Sequence, residues 1–166
     1  KIAPQLWHQG GMRRPGEGAY PEYPSATPSG LVGPGKKVYD ALSNAEVDEL
    51  IAAFTQAAKD SKDLGFDTLE LHGAHGYLID NFFWEGTNQR DDQYGGSLVK
   101  RTRFATDIVQ SIRTLTLLRQ EHPGKQRGGA FDFAAALVNA RTERTAAIIE
   151  RCQFDFELGK LQFPAF

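Results

Sequence analysis

The feature that most constrains the fold is a helical pattern that passes through one glycine directly into a short apolar segment. Residues 43–64 repeat apolar side chains at helical spacing, Gly65 follows, and residues 66–72 partly alternate as a strand does. A glycine at this point is typical of the left-handed residue that ends a helix. Residues 1–9 also predict a strand, so the order is strand, long excursion, helix, strand. This order predicts a parallel α/β architecture.

The predicted helix has both a start signal and a buried face. Ser43 followed by Glu46 matches a capping box, in which each side chain satisfies a free backbone N–H. One stripe is predicted to face the core: Val47, Leu50, Ile51, Phe54, Ala57, Ala58, Ser61 and Leu64. Before this helix, the five prolines and weak periodicity of residues 12–42 predict a long irregular loop. Residues 76–84 predict a short packed helix, and residues 98–115 predict a second long one.

Composition excludes several classes of protein. The 19 basic and 21 acidic side chains give a net charge of −2, so there is no basic excess for binding nucleic acid. No apolar run approaches the roughly 18 residues that a membrane helix needs, so we expect no membrane partner. The single cysteine, Cys152, excludes an internal disulfide and a multi-cysteine zinc site. A single cysteine fits a reducing compartment, and we therefore expect the protein to be in the cytoplasm.

The most suggestive cluster of functional groups follows the second predicted strand. His72, His75 and Tyr77 lie among glycines at the C-terminal end of that strand. In parallel α/β folds ligands bind at this end, because the loops there converge on an open crevice. Two imidazoles and a phenol supply hydrogen-bond donors and a proton source. Position and chemistry together predict a ligand site here.

A metal interpretation of the same cluster is weaker. His-x-x-His lacks the i, i+4 spacing of the helical zinc motif, and Asp80 is the nearest carboxylate for a third ligand. We therefore expect no metal.

Two other clusters allow simpler interpretations. On the first strand, Gln5 and His8 are most simply satisfied core polar groups, and Trp7 a core side chain. Farther along, the segment from Asn88 through Arg90 and Asp91 to the turn at 94–97 is most simply a solvated loop that leads into a helix.

Taken together, these segments resemble the old yellow enzyme family of FMN-dependent oxidoreductases, also called NADH:flavin oxidoreductases or ene-reductases. The motif from His72 to Ser97 is the most specific part of the resemblance. The matching stretches follow family order: 5–10, 23–30, 43–65, 66–88, 88–97 and 101–103.

The resemblance implies a fold and a cofactor. The fold is a (β/α)8 TIM barrel with FMN at its C-terminal mouth, in which residues 1–9 are the third strand and residues 66–72 the fourth. Gln5 corresponds to the residue that hydrogen-bonds the flavin pyrimidine edge, and Trp7 to one beside flavin and substrate. NAD(P)H is the implied reductant.

The resemblance also implies a reaction on a small electron-poor alkene such as an enone. His72 and His75 correspond to the pair that holds the substrate oxygen, as an oxyanion hole does. Tyr77 corresponds to the donor of a proton to the α-carbon, while flavin N5 delivers hydride to the β-carbon.

The match covers residues 1–113 only, a minority of a barrel that needs at least about 200 residues. We expect a partial FMN-oxidoreductase barrel over 1–113 and a tail over 114–166 that lacks the resemblance. One helix is predicted in that tail, over 132–151, with the rest unassigned. We expect this sequence to be a fragment of a larger protein, because Lys1 opens on a strand already under way. Uncovered strand edges favour association into a homo-oligomer.

Two other functional hypotheses stay open beside the ene-reductase. One is a non-catalytic barrel fragment that binds no flavin, because the family's phosphate site is not found in residues 114–166. The other is a metal-dependent hydrolase that uses His72, His75 and Asp80. Flavin absorbance separates the first of these from the ene-reductase, and metal content separates the second.

Overall fold

A computed structural model describes residues 2–14 and 16–118 of the chain. A 3-10 turn, Gly10–Met12, follows the first strand. In chain order the strands are β1 (Gln5–Leu6), β2 (Leu31–Gly33), β3 (Lys36–Lys37) and β4 (Glu70–Leu71). The helices are α1 (Asn44–Asp63), α2 (Leu78–Phe83), α3 (Leu98–Arg101) and α4 (Arg103–Leu118). None of the helices in this described part combines the length and hydropathy of a membrane span.

The predicted parallel arrangement is confirmed by the pairing of β1 with β4. Gln5 lies opposite Glu70 and Leu6 opposite Leu71. Backbone bonds extend the contact beyond the strands, since the His72 N–H donates to the Leu6 carbonyl at 2.9 Å. Both strands are shorter than predicted, at two residues each. Pro4 contributes to this, because it accepts a bond from the Glu70 N–H but has no N–H of its own.

The helix α1 begins and ends as its sequence predicts. Ser43 is the N-cap, and both hydrogen bonds of its capping box with Glu46 are present. Gly65 follows the helix with φ +88°, the left-handed conformation expected there. The predicted buried stripe is wrong at Leu64, which is 78% exposed. Leu64 is the C-cap residue, at the point where the chain leaves the helix for the turn into β4.

The second long helix is interrupted at Thr102, which separates α3 from α4. The Thr102 hydroxyl donates to the carbonyl of Val99 at 2.9 Å, a back-bond that bends helices. The helix α4 packs along α1, and Phe104 stacks on Phe82 of α2 with ring centroids 4.1 Å apart. Both rings belong to the buried core, together with Val47, Phe54, Leu69, Leu71, Leu78, Ile79, Ile108 and Ile112.

The excursion over 12–42 is more ordered than its sequence predicts. It contains the antiparallel hairpin β2–β3, which pairs Leu31 with Lys37. Gly30 has φ +73°, and a Cβ there would lie 2.1 Å from the Tyr39 carbonyl oxygen. The sequence does not predict this hairpin, because its strands are short and their pairing depends on the close approach of Gly30 to the Tyr39 carbonyl. The helix predicted over 132–151 falls outside the described residues.

Candidate functional site

The β1–β4 pair has one face covered by helices and one that we call the open face. Leu6 and Leu71 pack toward the core, so the alternating residues point the other way. The open face therefore carries Gln5, Trp7, Glu70 and His72. The Gln5 Nε2 donates to a Glu70 carboxylate oxygen at 2.9 Å across it. Trp7 is 47% exposed, so its interpretation as a core side chain is wrong, and Gln5 is exposed as well.

Four aromatic rings meet at one end of the open face. The Tyr77 ring contacts Trp7 edge-on with centroids 4.8 Å apart, and its centroid lies 5.1 Å from that of His72. The His75 ring lies 5.2 Å from the His72 ring. Trp7 and Tyr77 are 70 positions apart, so only the fold brings them together. The cluster unites four of the five site residues that the sequence predicts, with Gln5 on the same face.

His72 holds an unused hydrogen-bonding atom inside this cluster. Its side chain is buried, and its Nδ1 has no hydrogen-bond partner among the residues that the structure describes. A buried polar atom without a partner costs free energy unless a ligand or a water satisfies it. The His72 Nδ1 therefore has a hydrogen-bonding capacity that the described residues leave unused.

His75 and Tyr77 lie on a tight turn between β4 and α2. His75 has φ +60°, a conformation that a non-glycine residue rarely adopts, and Gly76 has φ +76°. The imidazole of His75 is exposed, and Tyr77 is half-buried. The carboxylate of Asp80 accepts a hydrogen bond from the Gly76 N–H at 2.9 Å. The turn directs the two side chains to one end of the open face.

His8 bonds to backbone groups next to the ring cluster. Its Nδ1 accepts a hydrogen bond from the Gly10 N–H at 3.0 Å, and its carbonyl accepts one from Leu78 at 3.1 Å. Burial, and to a smaller extent the charge of Arg13, lowers the pKa of His8 below its ordinary value. Its interpretation as a satisfied polar group is confirmed.

The segment after α2 leads into α3 as predicted and Asp91 is exposed, but its interpretation as a solvated loop is wrong at Asn88 and Tyr94, which are buried. Asn88 is 3% exposed, and its Nδ2 donates to the carbonyls of Phe82 and Tyr94 at 2.7 and 2.8 Å. Arg90 donates to the carbonyls of Pro28 and Leu42 and to the Asn44 side chain. These bonds tie the excursion to the start of α1, and sequence alone gives no signal for them.

The structure gives no support to a metal site. Within residues 2–14 and 16–118, no three histidine, cysteine, aspartate or glutamate side chains are grouped to hold a metal ion.

Comparison with known proteins identifies the family. The sequence model of the NADH:flavin oxidoreductase / NADH oxidase family matches residues 1–116. The chain is 42% identical over 113 residues to an NADPH dehydrogenase of Clostridium acetobutylicum, covering 68% of this chain and 32% of that enzyme.

Solved structures give the same result. Morphinone reductase superposes with a TM-score of 0.62 at 30% identity, over 69% of this chain and 35% of its own. The old yellow enzyme homologue from Zymomonas mobilis gives 0.59 at 34% identity, over 68% and 34%. The chain thus spans about a third of the length of these relatives. The predicted fold, part of an α/β (β/α)8 barrel, is confirmed, and the chain belongs to the NADH:flavin oxidoreductase / NADH oxidase family.

Proposed function

We propose that the open face is the flavin- and substrate-binding face of an FMN-dependent ene-reductase. In this proposal residues 1–113 form the catalytic region, NAD(P)H is the reductant, and a small electron-poor alkene such as an enone is the substrate. The cytoplasm is its proposed location. The family supports oxidoreductase chemistry with a flavin, and the ring cluster supports the roles of individual side chains.

The residues of the open face fit one edge of a flavin. Gln5 offers an amide with both a donor and an acceptor, which matches the alternating polar atoms of a flavin pyrimidine ring. The half-exposed ring of Trp7 lies on the same face and offers a flat apolar surface to a planar ligand. One N–H of the Gln5 amide donates to Glu70, which leaves its second N–H and its carbonyl oxygen for a flavin.

The chemistry divides between cofactor and protein. When bound, FMN supplies the hydride, which comes from NAD(P)H and goes to the alkene β-carbon. His72 and His75 hold the carbonyl oxygen and stabilise the negative charge that develops on it. Tyr77 gives its proton to the α-carbon, so the alkene gains one hydride and one proton while NAD(P)H is oxidised.

The contact of Tyr77 with His72 carries this proposal. Their rings are 5.1 Å apart, which places a phenol beside a buried imidazole whose Nδ1 lacks a partner in the described structure. A carbonyl oxygen that accepts from this histidine puts its conjugated alkene next to the phenol. Binding and protonation are therefore possible in a single substrate pose.

The test measures enone reduction by the full chain with excess FMN and NAD(P)H. Replacing a general acid costs about 10²–10⁴-fold, so Tyr77→Phe is expected to lower alkene reduction by that factor. Oxidation of NAD(P)H by oxygen should continue, because it needs no proton from Tyr77. Tyr23→Phe is the matched control, because Tyr23 is 58% exposed on the excursion.

Two results contradict the proposal in different ways. Equal enone turnover in Tyr77→Phe and the unsubstituted chain refutes the role of Tyr77. Absence of any flavin-dependent NAD(P)H oxidation instead supports the hypothesis of a non-catalytic barrel fragment.

A further inference from the structure

The helix α2 begins in an unusual way. Its N-cap is Tyr77, whose side chain makes no capping hydrogen bond in the described structure. Serine, threonine, aspartate and asparagine are the favoured N-caps, because their short side chains reach the free N–H groups of the first turn.

Asp80, in the first turn of α2, instead binds the backbone just before the helix. Its carboxylate reaches back past Tyr77 and accepts the Gly76 N–H at 2.9 Å. A negative charge in the first turn is also favoured by the partial positive charge of a helix N-terminus. Asp80 therefore joins the helix to the residue that precedes its N-cap.

The bonds around Tyr77 leave its backbone little freedom. The Tyr77 N–H donates to the Ala74 carbonyl at 3.2 Å, and its carbonyl accepts from Asn81 at 2.8 Å. His75 has φ +60°, a conformation that a non-glycine residue keeps only where its surroundings enforce it. The bond from the Gly76 N–H to the Asp80 carboxylate adds a side-chain contact to this turn.

We propose that Asp80 is a positioning residue that locks the turn of His75, Gly76 and Tyr77. Its carboxylate holds the Tyr77 phenol against Trp7 and His72 and keeps the His75 imidazole at the same end of the open face. The purpose of this positioning rests on the proposed ene-reductase function. The geometric role does not, and it can be measured without any cofactor.

The first test uses Trp7 as a reporter of the Tyr77 contact. The chain has two tryptophans, so Trp84→Phe leaves Trp7 alone, and Trp84 is 42% exposed. In this background Asp80→Ala is expected to reduce the near-ultraviolet circular dichroism of Trp7 about twofold or more, because a loosened ring contact averages the signal. Asp80→Asn should restore it, since an amide oxygen can accept the Gly76 N–H.

Asp40→Ala is the matched control, because Asp40 is an exposed carboxylate on the excursion. It should leave the Trp7 signal unchanged. Far-ultraviolet circular dichroism shows whether the helices stay folded in each variant. An unchanged Trp7 signal in folded Asp80→Ala overturns the proposal.

A second measurement needs no variant and covers the case in which Asp80→Ala does not fold. The Gly76 amide of the unsubstituted chain should exchange with solvent at least about tenfold more slowly than an exposed amide such as that of Gly18. Equal exchange rates overturn the proposal.

Activity separates the positioning role from the function. If the chain reduces enones, Asp80→Ala should lower kcat about tenfold, and Asp80→Asn should recover most of it. If no enone is reduced but the Trp7 signal responds to Asp80→Ala, the positioning role stands and the proposed function fails.

Discussion

Replacing Asn88 by aspartate tests the buried network after α2 with an almost isosteric change. In the native chain the Asn88 Nδ2 donates to the Phe82 carbonyl at 2.7 Å and to the Tyr94 carbonyl at 2.8 Å. Its Oδ1 accepts from the Arg90 N–H at 3.2 Å. Asn88→Asp keeps the acceptor and replaces the donor by an oxygen that faces two carbonyl oxygens.

The expected loss follows from the two bonds. Each buried carbonyl left without a donor costs about 1–3 kcal/mol, so two carbonyls give about 2–6 kcal/mol. Whole domains are stable by only about 5–15 kcal/mol, so this substitution removes a large part of the margin. Asn44→Asp is the matched control, because Asn44 is exposed at the start of α1 and accepts from Arg90 at 2.8 Å. A carboxylate there is favoured by both the helix N-terminus and the guanidinium.

The loss should depend on pH in a definite direction. The protonated acid can donate to one carbonyl, so the network raises the pKa of the introduced carboxyl above its unfolded value of about 3.9. The destabilisation caused by Asn88→Asp is therefore smallest at pH values below the unfolded-state pKa, and it grows as pH rises toward the folded-state pKa. Above the folded-state pKa the penalty stays constant.

Urea unfolding followed by far-ultraviolet circular dichroism measures the effect, with each variant compared to the unsubstituted chain at the same pH. A difference for Asn88→Asp below about 0.5 kcal/mol at neutral pH is within the range of ordinary surface substitutions. A difference that small, or a destabilisation that decreases as pH rises, refutes the stabilising role of the two Asn88 bonds.

Two further predictions concern the start of α1 and the side chain of His8. Ser43→Ala should cost about 1 kcal/mol in urea unfolding, because it removes the N-cap bond to the Glu46 N–H. Bonds from Ser43 lower the pKa of Glu46 below its ordinary value. The stability that these bonds contribute is therefore present above the ordinary glutamate pKa and is lost as pH falls into the acid range. Ser43→Ala should make stability depend less on pH in that range. Burial lowers the pKa of His8, so stability should fall as pH drops below about 6.5 and the Gly10 bond to Nδ1 is lost. His8→Ala should remove this component of the pH dependence, and an unchanged slope contradicts it.

The parts of the fold that follow from sequence are those set by local interactions. The bonds between Ser43 and Glu46 join residues three positions apart, so their pattern predicts the start of α1. Gly65 marks the end of α1, because a left-handed glycine directly after a helix is also a local signal. The parallel pairing of β1 with β4 follows from the order of elements. A helical crossover returns the chain to the end of the sheet where β1 began, so β4 runs parallel to β1.

The parts that do not follow depend on contacts between distant segments. Arg90 reaches Pro28 across 62 positions and Leu42 across 48, and no periodicity announces such bonds. The candidate site is intermediate between these cases. Its residues are predicted from a motif and a resemblance, whereas the contact of Trp7 with Tyr77 is a property of the fold.

The most direct test of the central proposal is an equilibrium titration of FMN fluorescence with the full chain. Saturable quenching is expected, and Trp7→Ala should weaken the affinity for FMN at least about tenfold, because the ring offered to the flavin is removed. Tyr23→Phe should leave the affinity unchanged. Quenching that never saturates, or an affinity that Trp7→Ala does not alter, contradicts the assignment of the open face as the flavin-binding face.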